Sequence, residues 1–352
     1  MAPRRTLTLM LCAITGASLV ATAVPSNAAP GFTTSPLRTS DSIQSTSGFI
    51  VHLKDRSASA QRVRTAHTAS AMQATSTSLR GSVDRAAKVR GAHVTESLAR
   101  ANNSMSVQVS QGLNATAAKA FASEIERNPE VESVEPVLHM TINENTGVHP
   151  AAVSSAPNDQ YWNRQWGLNS ENGIDAPGAW ATNTGSGVTV AVIDSGITKH
   201  PDLDGKVLPG YDFISDRYAA GDGNGRDLDP SDEGDWTRAG ACTRRDVPSS
   251  WHGTHVAGII GAATNNARGV AGAAPGAKIL PVRALGHCGG TDVDIADGIT
   301  WASGGEVPGV PTNHNPAKVI NLSLGGPSNY CPITYQRAID AAVSRGSTVV
   351  VA

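Results

Sequence analysis

The chain has 352 residues, of which 39% are hydrophobic and 16% charged, so it can bury the cores of about two domains. A formal net charge of −2 gives no electrostatic reason to expect nucleic acid or an anionic membrane as partner. Aromatic residues are scarce at 4% while glycines number 36, which suits helices packed closely on a sheet.

The N-terminus reads as a signal peptide over 1–28. Arg4 and Arg5 form a charged n-region, Leu7 to Val20 an apolar h-region, and small residues around Ser26 lead to cleavage after Ala28. That run is short for a membrane span and is broken by Gly16, so no membrane association is expected after cleavage. Export predicts an extracellular, oxidising destination. Cys12 leaves with the signal, and the three cysteines that remain, Cys242, Cys288 and Cys331, are an odd number for a secreted protein.

Residues 30–47 are rich in Ser, Thr and Pro and predict a flexible stretch. A small unit follows. Phe49 to Leu53 predicts a strand, Ala58 to Ala87 contains a polar helical stretch, and His93 to Leu98 and Met105 to Ser110 alternate like strands. Asn114 is placed to cap a helix running to about Arg127, and Val131 to Leu138 predicts a last strand. The order strand, helix, strand, strand, helix, strand predicts a ferredoxin-like α+β plait at about 48–140. Residues 141–156 then turn to Asn, Gly, Pro, Ser and Ala, the composition of an exposed, cleavable linker.

Beyond it, near-continuous apolar strands at Val188 to Ile193, Lys278 to Val282, Val319 to Leu324 and Thr348 onward alternate with helical patterns at His252 to Ala263, Asp292 to Ala302 and Pro332 to Arg345. This alternation predicts an α/β domain with a parallel sheet covered on both faces. The chain stops at Ala352 within the run Val349-Val350-Val351, so a fragment of a longer domain is expected.

Asp194 ends the first apolar strand, in Ala-Val-Ile-Asp-Ser-Gly, and carboxyl ends of parallel strands are where sites form. A strand-end Asp can equally cap a turn. His252 opens His-Gly-Thr-His-Val-Ala-Gly at the start of a helix, where its imidazole could face that carboxylate. A zinc-peptidase helix needs histidines four apart with a glutamate between them. His255 is only three away, which disfavours a metallopeptidase and leaves His255 as a packed or hydrogen-bonded residue.

Those two motifs, followed by Val-Ile-Asn-Leu-Ser-Leu-Gly-Gly, resemble the subtilase family of serine proteases, in the family's order, from about Asn158 to Ala352. The resemblance implies a secreted serine endopeptidase acting on protein and peptide substrates through an acyl-enzyme. It makes His252 the general base and Asp194 its orienting carboxylate. It implies that Ser323, Leu324, Gly325 and Gly326 bind extended substrate, with Leu285-Gly286 and Gly289-Gly290 as the opposite wall. The plait resembles the family's inhibitory propeptide, making the precursor a zymogen whose own propeptide is its intramolecular inhibitor. The expected parts are signal peptide 1–28, propeptide 29–148, linker 149–157 and the N-terminal part of a subtilisin-like domain at 158–352. The family's Gly-Thr-Ser-Met-Ala nucleophile motif and its oxyanion asparagine are absent, so the chain alone is expected to be inactive. A non-catalytic pseudoprotease or binding protein on the same scaffold is the alternative.

The resemblance also implies structural calcium, held by Gln160, Asp202 and Asn266 with the carbonyls of Thr264, Arg268 and Val270. A second calcium loop is expected from Asp222, Asn224, Asp227, Asp229 and Asp232, against the plainer reading of a solvated acidic insert. A Cys242–Cys288 bridge would brace the rim of the site, with Cys331 pairing beyond Ala352. Basic residues between Arg56 and Arg100 and acidic ones between Asp202 and Asp235 are expected to attract each other on docking.

Overall fold

The computed structural model describes residues 46–65, 71–142, 156–328 and 330–352. The predicted signal peptide, most of the Ser/Thr/Pro stretch and most of the linker lie outside the described residues.

The N-terminal unit is the expected plait, built from β1 (Thr46–Leu53), α1 (Ala58–Arg64), α2 (Ala71–Ala74), α3 (Thr77–Lys88), β2 (Val94–Arg100), β3 (Ser104–Leu113), α4 (Ala115–Glu126) and β4 (Val131–Pro136). Its antiparallel sheet has the order β2-β3-β1-β4. The helical stretch predicted in one piece starts afresh at two serine caps, where Ser57 and Ser76 accept from the N–H groups of Ala60 and Leu79. Asn114 caps α4 as predicted, accepting from the Ala117 N–H at 3.0 Å. Alternation along the central strand β1 explains why both of its faces are buried. Phe49, Val51 and Leu53 pack with Leu79, Val83 and Phe121 in the plait's own core, while His52 points the other way and reaches Thr334 of the following domain.

The predicted last strand breaks after Pro136, and a separate strand β5 (His139–Ile142) follows. Thr141 and Ile142, assigned by composition to the linker, are therefore paired strand residues.

The second unit runs α5 (Trp166–Asn169), α6 (Ala176–Trp180), β6 (Thr189–Asp194), β7 (Tyr211–Asp212), α7 (Arg217–Ala220), α8 (His252–Gly261), β8 (Lys278–Arg283), β9 (Gly290–Thr291), α9 (Asp292–Ala302), β10 (Val319–Leu322), β11 (Leu324–Gly325), α10 (Ile333–Ser344) and β12 (Thr348–Val351). Five strands form a parallel sheet in the order β12-β10-β6-β8-β7. In β6, Ala191 and Ile193 join the core shared with α9 and α10. Val192, on the other face, meets Val256 and Ala257 of α8. Burial on both faces is why this strand reads as unbroken hydrophobicity. The chain builds β7 and β8 on one side of β6 and β10 and β12 on the other, so the order reverses at β6. The carboxyl end of that strand opens into a crevice suited to a site.

Candidate active site

Asp194 is the last residue of β6 and is fully buried. His252 is the first residue of α8, preceded by Trp251 in a left-handed conformation at φ 53° that turns the chain into the helix. The His252 Nδ1 lies 2.8 Å and 3.0 Å from the two carboxylate oxygens of Asp194. Gly253 permits this approach, because a Cβ there would run into the Gly196 carbonyl oxygen beside the end of β6. Ser195 fastens the same corner. Its hydroxyl donates to Asp232 at 2.6 Å and accepts from the Gly253 N–H at 3.0 Å, while its N–H donates to Asp194 at 2.7 Å. That hydroxyl is committed to structure.

Beside the pair, β5 lies between β11 and β9, antiparallel to both, in a three-stranded sheet. Leu324 and Gly325 face Ile142 and Thr141, and Gly290 and Thr291 face Met140 and His139. Met140 is buried, and the partly buried Ile142 packs against the same apolar core. A Cβ at Gly289, which has φ +89°, would strike the Met140 carbonyl oxygen, and one at Gly326 would come within 2.7 Å of the His139 carbonyl oxygen. The groove therefore already holds an extended peptide, contributed by the chain itself.

A family model described as the subtilase family, peptidase S8, matches residues 185–352. That segment belongs to the subtilase family. An extracellular protease of Xanthomonas campestris is 50% identical over 252 residues, 70% of this chain and 41% of its own length. A solved protease of Pseudoalteromonas arctica is 55% identical over 56% of this chain and 58% of its own, with a TM-score of 0.54. Fervidolysin of Fervidobacterium pennivorans, described as a keratinolytic enzyme related to subtilisin, shares the fold at a TM-score of 0.56 and 24% identity, over 90% of this chain and 40% of its own. The chain thus spans less than two thirds of each of these relatives.

Within the subtilase domain, the other sequence expectations divide. The wall opposite β11 is Gly290–Thr291, not Leu285-Gly286. Leu285 is fully buried in the core, and Gly286 is closed off by the Ala219 carbonyl. Ser323 lies between β10 and β11, where its hydroxyl accepts from Asn321 at 3.0 Å. His255 is exposed on α8 and not packed. Cys242 and Cys288 are bridged, with their Cα atoms 5.6 Å apart, tying the insert before α8 to the loop before β9. Cys331 is disulfide-bonded as well.

Two of the predicted calcium ligands come together. Asp202 is buried and accepts from the Asn266 amide at 2.7 Å and the Val270 N–H at 2.9 Å. The same loop grips the N-terminal segment. Asn265 and Asn266 donate their N–H groups to Asp159, and Tyr161 donates its own to the Gly269 carbonyl at 2.8 Å. Gln160 is exposed beside it. As placed, the Asn266 amide nitrogen donates straight to Asp202 and its oxygen accepts the Arg268 N–H at 2.8 Å, so these groups satisfy one another.

The acidic insert does not converge. Asp222 is drawn to Arg283 at 3.2 Å, Asp227 accepts from Asn224, Asp229 from Ser231, and Asp232 from Ser195. Each carboxylate closes its own turn or ion pair. Among the described residues no group of three His, Cys, Asp or Glu side chains is arranged to hold a metal.

Sequence reasoning also missed what fixes the plait to the domain. Arg100 lies 2.9 Å from Asp294 and 3.3 Å from Asp297 of α9, and within the stretch 202–235 it meets the Ser215 hydroxyl at 3.3 Å rather than a carboxylate. Glu135 of β4 accepts the N–H groups of Ile333 and Thr334 in the first turn of α10, at 3.1 and 2.9 Å, and holds His52 at 2.9 Å. A carboxylate at a helix N-terminus satisfies otherwise unpaired donors and favours the helix dipole.

Proposed function

We propose that this chain carries the export signal, the inhibitor and the base-activating half of a secreted serine endopeptidase. His252 takes the proton from an attacking serine hydroxyl and returns it to the leaving amine. Asp194 fixes the ring's tautomer and stabilises the imidazolium. The serine and an oxyanion-binding asparagine come from sequence of the enzyme outside this chain. The observation that carries the reading is the buried carboxylate against Nδ1 of His252 beside a groove that already accepts extended peptide. In the complete enzyme, His252→Ala should lower kcat on a peptide amide by roughly 10²–10⁴-fold, the usual worth of a general base. Full hydrolysis by that variant would refute the assignment. A wild-type enzyme that binds peptides without cleaving them would establish the binding-protein alternative.

The plait acts as the intramolecular inhibitor, with β5 filling the groove as a substrate does. Because β5 extends to Ile142 and residues from Asn158 onward are tied to the 265–269 loop, maturation cuts fall in 143–155. Asp202 and Asn266, with Gln160 and the carbonyls of Thr264, Arg268 and Val270, would hold a structural calcium, whose charge would offset the Asp202 carboxylate. Those residues then pin the mature N-terminal segment to the domain. Chelation should lower the thermal midpoint of the wild-type enzyme and leave Asp202→Ala unaffected. At calcium 100-fold above its dissociation constant, the stabilisation lost is about 2.7 kcal/mol. Equal midpoints with and without chelator would remove calcium from this loop.

A further inference from the structure

Asp294 and Asp297 are both almost completely buried, one helical turn apart on α9. The subtilase domain braces them itself. Arg226 reaches Asp294 at 2.7 Å and Asp297 at 2.8 Å. Its Nε donates to the Phe213 carbonyl and the Ser215 hydroxyl, both at 3.0 Å, and its guanidinium lies over the Phe213 ring. Ser215 adds its hydroxyl to Asp294 at 2.7 Å. Two carboxylates against one guanidinium leave one negative charge without a partner inside the domain. The plait supplies it. Arg100 inserts its guanidinium beside Arg226, in contact with Asp294, Asp297 and Ser215, and the neighbouring Ala101 N–H donates to Asp297 at 2.9 Å. Burial opposes ionisation of Asp294, yet the charges of Arg226 and Arg100 outweigh it and hold its pKa at about 2.

We propose that this pocket is a guanidinium-binding site of the subtilase domain, filled by Arg100 while the plait is docked and open to arginine-bearing peptides once the plait has gone. The second half rests on the reading of the plait as a removable inhibitor. Arg100 reaches both carboxylates and the Ser215 hydroxyl through Nη1, while its Nε donates to Ser106 at 2.8 Å. Selectivity for guanidinium over ammonium follows from desolvation: a delocalised, weakly hydrated charge enters a buried pocket beside Arg226 at less cost than a compact, strongly hydrated ammonium. The presenting element is also defined. Arg100 ends β2 at a tight turn in which Asn102 and Asn103 both take φ 56°, and Asn102 donates to Thr300 at 3.2 Å.

Chemical rescue of the full chain tests the first half without reference to hydrolysis. In Arg100→Ala, ethylguanidinium at about 10 mM, too dilute to denature, should raise the thermal midpoint. Ethylammonium should not, and neither should act on the wild type or on Arg100→Ala combined with Asp297→Asn. Rescue by both cations, or by neither, would overturn the site. If Arg100→Ala does not fold, the plait-free wild-type enzyme decides it. A peptide spanning residues 98–105 should bind at least about tenfold tighter than its analogue with neutral citrulline at position 100, the scale of a charge-assisted contact. Asp297→Asn should erase the difference, and equal binding of the two peptides would overturn the proposal. Retention of the plait by an enzyme that otherwise shows rescue would sink only the reading of its release.

Discussion

The plait meets the subtilase domain in two chemically different ways. In the groove, β5 offers backbone to β11 and β9, with Met140 buried and Ile142 packed against the core. Outside the groove, contact passes through individual charges, Arg100 in its carboxylate pocket and Glu135 on the first turn of α10. Main-chain pairing accepts almost any extended peptide, so β5 alone would compete with substrate on equal terms. The charged latches need particular side chains in particular places. The difference teaches that the groove is occupied through backbone pairing while the charged contacts choose the occupant, a division of labour that, under the proposed inhibitory role, would let the plait outcompete substrates without a better groove sequence.

Breaking one latch should loosen the plait and leave the groove as it was. Glu135→Ala strands the N–H groups of Ile333 and Thr334 and removes the acceptor of His52, all at a buried interface. A buried donor left without a partner costs about 1–3 kcal/mol, so inhibition should weaken by roughly 10–100-fold. The inhibition constant of the plait in the processed complex, read with a small chromogenic peptide, measures this. Because Glu135 belongs to the plait, kcat/KM after its release should equal that of the wild type. An unchanged inhibition constant would mean that β5 carries the affinity.

How far the sequence foretold this arrangement depended on whether a feature was contiguous. Asp194 and His252 were legible because each stands in an unbroken motif at the end of an element whose hydrophobic pattern is clear. The plait was legible from alternation and from the Asn114 cap. Thr141 and Ile142 were assigned to a linker because four residues are too few for periodicity to outweigh the Asn/Gly/Pro composition that follows. Leu285 was misplaced because a Leu-Gly pair on a rim looks the same in sequence whether its leucine faces substrate or core. The carboxylates from Asp222 to Asp232 suggested a shared cation, yet each satisfies a nearby N–H or side chain, and spacing alone does not distinguish a cage from a row of turns. Arg100, Arg226, Asp294 and Asp297 come from three distant segments, so only the fold brings them together.

The smallest expected effect sharpens the comparison through pH. Asp292, at the first turn of α9, accepts the Leu138 N–H at 3.1 Å and donates its own N–H to the Leu138 carbonyl at 3.0 Å, directly before β5. Burial, reinforced by the charges of Glu135 and Asp294, pushes its pKa well above the ordinary carboxylate range. The buried hydroxyls of Tyr330 and Tyr335 are pushed up in turn, first by burial and then by nearby carboxylates that include Asp292. If undocking exposes Asp292, docking takes up a proton. Its contribution is then complete below the ordinary carboxylate value and is lost as pH rises through the raised one. Glu135 has the opposite sign. Burial works to raise its pKa, but His52 and Thr334 outweigh burial and lower it, so its contribution fails only in stronger acid. The plait should therefore hold best in mild acid and leave faster as pH rises from the ordinary carboxylate range through that raised value. Release rates of the processed complex across that range measure the slope, and Asp292→Asn, neutral at every pH, should flatten it. A wild-type profile already flat would mean that Asp292 keeps the same protonation whether or not Leu138 covers it, leaving Arg100 and Glu135 as the charged control on docking.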